Sequence, residues 1–200
     1  LYNVFFEKDP EVEEDLALLL LTGIISDTGT FRYVRGDSID VFGKVEKLLA
    51  LANTDVEKIH QRYNSINAED FEVYKVLIEN TQFVQLPDGN SFMYSYLSKD
   101  YAGRGSAAKE YYRKNMLRMV DGFNWGYLVS HRYENIFSLT FRSSAGAANV
   151  RAICEKHFNG GGHDFSAGGA YEAEDDFLDS DVVAARIAEI LKEEDLEIAF

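Results

Sequence analysis

Thr81-Gln-Phe-Val-Gln-Leu86-Pro-Asp-Gly-Asn90-Ser-Phe-Met-Tyr-Ser-Tyr-Leu97 is where the pattern of this chain changes character. Two strand-like runs, Gln82 to Leu86 and Ser91 to Leu97, flank Pro87-Asp88-Gly89-Asn90. Proline sets φ, and glycine and asparagine tolerate positive values, so the stretch predicts a β-hairpin. Everything before it reads as helix, and everything after it mixes strands with helices.

Working back from the hairpin, Ala68 to Asn80 predicts a helix that connects two parts of the chain. Asp55 to Tyr63 and Asp37 to Ala52 read as amphipathic helices, the latter capped by Asp37 or Ser38. Glu11 to Ile25 reads as a helix with acids in its first turn. It is apolar on nearly every side and so predicted to be buried, and the polar run Ser26 to Thr30 ends it.

Working forward, Ser106 is placed to cap a helix reaching about Val120. Trp125 to Arg132 and Ile136 to Phe141 pair across Glu134-Asn135, and Ala147 to Phe158 is helical. A glycine-dense loop, Asn159 to Gly169, precedes a short strand near Ala170 and a helix from about Asp181 to Lys192. The expected class is α/β in the α+β sense. A helical lobe over residues 1–66 is followed by a connector over 67–80, then by a mixed or antiparallel sheet with helices over 81–200.

Composition narrows the function classes. With 46% hydrophobic and 27% charged residues over 200 positions the chain is neither disordered nor collagen-like, and no apolar run is long enough to span a membrane. The single Cys154 forms neither an internal disulfide nor a cysteine zinc framework, which fits a reducing cytoplasm. The net charge of −14 resides at the two ends, and the middle is neutral. Within that middle, Lys99 to Arg118 carries six bases against Asp100 and Glu110. Tight nonspecific duplex DNA binding is disfavoured, whereas a short anionic substrate fits.

Three segments could carry chemistry. Asp27, in Ile25-Ser-Asp-Thr-Gly-Thr-Phe-Arg32, stands at the edge of a hydrophobic segment and suits a hard or borderline cation; it equally suits a helix stop with a turn aspartate. Gly160-Gly161-Gly162-His163 lets backbone N–H groups converge on an anion beside an imidazole, or forms a flexible turn with an incidental histidine. Phe141-Arg142-Ser143, at a strand end, offers a guanidinium for bidentate phosphate contact beside a hydroxyl. The short span from Arg142 to His163 would let strand end and glycine run face one pocket. His60, His131 and His157 read as structural. Tyr111 and Tyr112 could stack on bases, although core packing accounts for them as well.

Taken together, these segments resemble the C-terminal part of DHH-family phosphoesterases, in the nanoRNase/pAp phosphatase (oligoribonuclease) branch. Ile25 to Arg32 resembles the last metal motif of the catalytic domain, and Asn115-Met-Leu-Arg118-Met-Val-Asp-Gly122 the helix-to-strand junction of the associated domain. Phe141-Arg142-Ser143, Gly160-Gly-Gly-His163 and Ala167-Gly168 resemble that domain's signature.

The resemblance implies that Asp27 is both a catalytic residue and one ligand of a two-metal centre, usually manganese, that activates water. It implies that Arg142, Ser143, Gly160, Gly161, Gly162, His163 and Arg118 grip the substrate's phosphate or terminal nucleotide. The implied substrates are short single-stranded RNA, linear dinucleotides and the nucleotide bisphosphate pAp. An exopolyphosphatase-like or cyclic-dinucleotide activity, or a noncatalytic nucleotide-binding module, are the alternatives, and a homodimer is compatible with all of them. No Asp-His-His occurs in the sequence, which opens at Leu1. The expectation is therefore a fragment whose other metal motifs lie upstream and which lacks activity alone.

Overall fold

The computed structural model describes residues 12–34, 36–87, 89–174 and 178–200. They form two compact units that divide between Ser65 and Ile66.

The first unit holds α1 (Glu14–Asp27), α2 (Val41–Leu51) and α3 (Val56–Asn64). Glu14 and Asp15 occupy the first turn of α1, where carboxylates complement the helix dipole; the start expected at Glu11 lies outside the described residues. Ala17, Leu20, Leu21 and Ile25 of α1 pack with Val45, Leu48 and Ile59. The expectation of burial on nearly every side fails at Leu19, which stays 68% exposed within this unit. α2 begins later than its sequence suggests. Asp40 holds its N-cap position without a side-chain cap, and Ser38 lies in a 3-10 turn, Gly36–Ser38; the side chain of Asp37, the other proposed cap, lies outside the described residues. Asp55 caps α3 by accepting from Lys58 N at 2.8 Å.

The second unit is a mixed six-stranded sheet between helices, as the α+β reading required. Its elements are α4 (Ala68–Glu79), β1 (Gln82–Val84), β2 (Phe92–Leu97), α5 (Ser106–Asn115), β3 (Trp125–Tyr133), β4 (Ile136–Ser143), α6 (Val150–His157), β5 (Gly161–His163), β6 (Ser166–Glu172) and α7 (Ser180–Lys192). The strand order is β1-β2-β3-β4-β6-β5. β1 and β2 form the expected hairpin, although Asp88 in its turn lies outside the described residues. β2 and β3 run parallel, which requires a crossover, and α5 supplies it. α5 stops at Asn115 rather than about Val120, and Ser106 is its first residue rather than its cap, following Gly105 at φ +66°.

Period-two alternation sorts the strand residues onto two faces. Phe92, Trp125, Tyr127, Val129, Phe137, Leu139 and Phe141 face α6 and α7 in the main core. Tyr127 is tied to α7 through its hydroxyl, which donates to Ala184 O at 2.8 Å. The opposite face packs Met93, Leu97 and Leu128 against Val73 and Leu77 of α4 and Ala108 and Tyr112 of α5. None of the helices is long and apolar enough, among the described residues, to cross a membrane.

Candidate functional site

β4 alternates strictly between buried and part-exposed residues. Phe137, Leu139 and Phe141 enter the main core, so Ser138, Thr140 and Arg142 point to the other face. Arg142 lies opposite Ser166 on β6, and Ser166 lies opposite His163 on β5. Opposed residues of antiparallel pairs share a face, so Arg142, Ser166 and His163 form one row across two strand spacings, about 10 Å. The next row is Thr140, Gly168 and Gly161. This part of the sheet remains open: Thr140, Arg142, Ser166 and Gly168 are partly exposed and His163 is exposed. Hydroxyls, bare backbone, a guanidinium and an imidazole line it, donors suited to an anion.

The glycine run is not the open loop that its composition suggested. It is an edge strand, hairpinned onto β6. Packing explains two of its glycines. A methyl group at Gly160 would lie 2.1 Å from Gly168 O, and Gly160 N already donates to Cys154 O at 3.1 Å. Gly162 has φ +146°, and a methyl there would lie 2.6 Å from Ser166 O. Gly161 meets nothing within 4 Å, so no packing contact demands a glycine at that position.

Arg142 donates from Nη1 to Phe141 O at 2.8 Å. Burial, and then the like charge of Arg113, lower its pKa, while Glu110 opposes the shift. Arg118 reaches the same strand end, donating from Nη1 to Ser143 O at 3.1 Å. Ser143 itself is fully buried; its hydroxyl donates to Ser144 O at 3.3 Å and its N to Phe165 O at 3.0 Å. The structure thus brings Arg142, Gly161, His163 and Arg118 to one end of the sheet and turns the Ser143 side chain away from them. Sequence reasoning missed Ser166 and Thr140, which only the strand register locates. Arg113 and Glu110 were signalled by the basic run of α5, though not as neighbours of Arg142.

Asp27 is the last residue of α1 and is exposed. The turn after it is strained: Gly29, Thr30 and Phe31 all adopt left-handed φ, at +57°, +61° and +67°. Thr28 fixes this turn through its hydroxyl, which donates to Ile24 O at 2.7 Å and accepts from Phe31 N at 3.1 Å. A methyl at Gly29 would fall 2.3 Å from the Tyr33 ring. Among the described residues no group of three metal-ligating side chains exists. Asp27 supplies one exposed carboxylate and does not by itself constitute a metal centre.

His157, His131, Tyr112 and Tyr111 have structural partners, whereas His60 is exposed on α3. His157 Nε2 lies 2.9 Å from Glu194, and His131 Nε2 lies 2.8 Å from Glu134 O. Tyr112 is buried, its hydroxyl 2.7 Å from that of Thr81, and burial pushes its pKa up to about 12. Tyr111 packs edge-on to Tyr74 at 5.3 Å.

No family model and no curated protein matches the sequence. Among solved structures, a pGpG-specific phosphodiesterase from Vibrio cholerae (15% identity, 92% of this chain and 60% of that one, TM-score 0.41) overlaps only loosely. The same holds for the DHH domain of a protein described as a member of the s1p family of ribosomal proteins (12% identity, 98% and 45%, TM-score 0.37). An exopolyphosphatase-related protein from Bacteroides fragilis superposes well, with a TM-score of 0.73 at 18% identity over 91% of this chain and 51% of that one. This chain spans about half the length of the Bacteroides fragilis protein and shares the fold of that half.

Proposed function

We propose that this chain is the substrate-binding part of a DHH-type phosphoesterase, with the open end of the second unit's sheet holding a phosphate of a short oligoribonucleotide, a linear dinucleotide or pAp. The observation that carries this reading is the row of Arg142, Ser166 and His163 on a part-exposed sheet face. Arg142 supplies charge and a planar donor fork, Ser166 and Thr140 supply hydroxyl donors, and Gly161 leaves room for the ligand above the strand. The shared fold with an exopolyphosphatase-related protein supports the hydrolytic class. Asp27, just before a strained turn, is proposed as one manganese ligand, with the remaining ligands outside the described residues.

A second reading is a noncatalytic nucleotide-binding module, which the Arg142 row serves equally well because an anion-binding sheet face needs no metal. Calorimetric titration of the chain with pAp tests the pocket common to both readings. Binding should be lost in Arg142→Ala and weakened in His163→Ala; undiminished binding in both variants rejects the site. Hydrolysis by the protein extended upstream, with manganese added, separates the two readings, and an Asp27→Ala variant that hydrolyses normally removes Asp27 from the centre.

A further inference from the structure

α5 borders the Arg142 row with an unusual charge balance. Lys109, Glu110, Arg113 and Lys114 follow at helical spacing along one flank. Glu110 is doubly engaged: one carboxylate oxygen pairs with Arg113 Nη2, and the other lies 3.1 Å from Lys114 Nζ. Arg142 feels both Arg113 and Glu110 across the gap between α5 and β4, yet it donates to Phe141 O rather than to a carboxylate. Arg113 Nε is buried and has no hydrogen-bond acceptor among the described residues. A buried donor left unmade is costly, and a guanidinium donor more so. Two guanidiniums therefore share the influence of one carboxylate and retain open donors, beside a floor of hydroxyls and glycine.

We propose that Arg113 is a second guanidinium of the anion site, so that Arg113 and Arg142 together hold a terminal phosphomonoester in preference to a phosphodiester linkage. The inference rests on reading the Arg142 row as an anion site. A phosphomonoester carries a charge near −2 at neutral pH and three strong acceptor oxygens, whereas a diester carries one charge and two unbridged oxygens. Only the former can answer two guanidiniums and the orphaned Nε together. Glu110 is the built-in competitor. It holds one Arg113 Nη until a ligand arrives, and so lowers affinity for any anion.

The test is calorimetric titration of the whole chain with the dinucleotide pApA and with ApA, which lacks the 5′-phosphate. Wild type should bind pApA more tightly than ApA. Arg113→Gln should lose about tenfold for pApA and leave ApA within about twofold, the equivalent of one charge-assisted hydrogen bond. Arg113→Lys, which keeps charge but not the fork, should fall between. Glu110→Gln should tighten pApA severalfold, and this gain cannot come from a folding defect. If Arg113→Gln weakens both ligands equally, or neither, while Arg142→Ala abolishes binding, the Arg113 assignment is overturned and the site reading stands. If wild type binds neither ligand, the site reading falls and the inference with it.

Discussion

Replacing each glycine of the 160–162 run by alanine separates residues that pack from a residue that leaves space. At Gly160 the added methyl would sit 2.1 Å from Gly168 O and 2.6 Å from Gly169 Cα, both backbone atoms that cannot swing aside. Overpacking of this kind costs about 1–3 kcal/mol. At Gly162 it would sit 2.6 Å from Ser166 O, and φ +146° adds strain of about 1–3 kcal/mol. At Gly161 nothing lies within 4 Å, so the expected cost is below about 0.5 kcal/mol. Urea unfolding followed by fluorescence reports this unit alone, because Trp125 is the chain's single tryptophan and is fully buried in β3. With a denaturant slope of about 2 kcal/mol/M, the Gly160→Ala midpoint should fall by about 1 M and the Gly162→Ala midpoint further, with Gly161→Ala nearly unchanged. Gly161→Ala should nonetheless weaken pAp binding, since its methyl would stand on the open face beside the Arg142 row. Equal losses of stability at all three positions would refute the division. Unaltered pAp binding in Gly161→Ala would refute the role given to its empty space.

Tyr112 predicts alkaline sensitivity. Its phenol is neutral in both states below its ordinary pKa of 10, but between 10 and about 12 only the unfolded chain releases the proton, so stability falls as pH rises. The loss should reach about 2–3 kcal/mol, and Tyr112→Phe should flatten the slope of urea-derived stability over that range. Asn149 is 4% exposed, caps α6 by accepting from Ala152 N at 3.1 Å and donates to Glu197 at 3.2 Å; Asn149→Ala should cost about 2 kcal/mol by Trp125 fluorescence. Asp27 places a carboxylate at the C-terminal end of α1, which has no basic residue in its last turn. Asp27→Asn should therefore raise the melting temperature of the helical unit, followed by circular dichroism, by an amount equivalent to about 0.3–1 kcal/mol. The same variant should abolish hydrolysis by the upstream-extended protein; a stabilised and fully active variant would leave Asp27 as a turn residue only.

The sequence by itself determined what short-range physics controls. Pro87 and Gly89 announced the β1–β2 hairpin, an acidic first turn marked α1, and the segment opening at Asp55 marked α3, because caps, dipoles and turn dihedrals act within a few residues. Arg142 and His163 were legible as anion-binding types from their chemistry alone. Tertiary structure decided their arrangement. Glycine carries almost no strand signal, so residues 161–163 looked like a loop until pairing with β6 enforced extension. Leu117 is buried in the core formed with α4, and the chain leaves the helix after Asn115, although composition alone would extend α5 to Val120. Ser143 follows Arg142 by one residue, yet the two side chains take opposite faces because the strand period is two. Ser166, more than twenty positions away, becomes the neighbour of Arg142 instead, since register between strands depends on contacts that no local window of sequence contains.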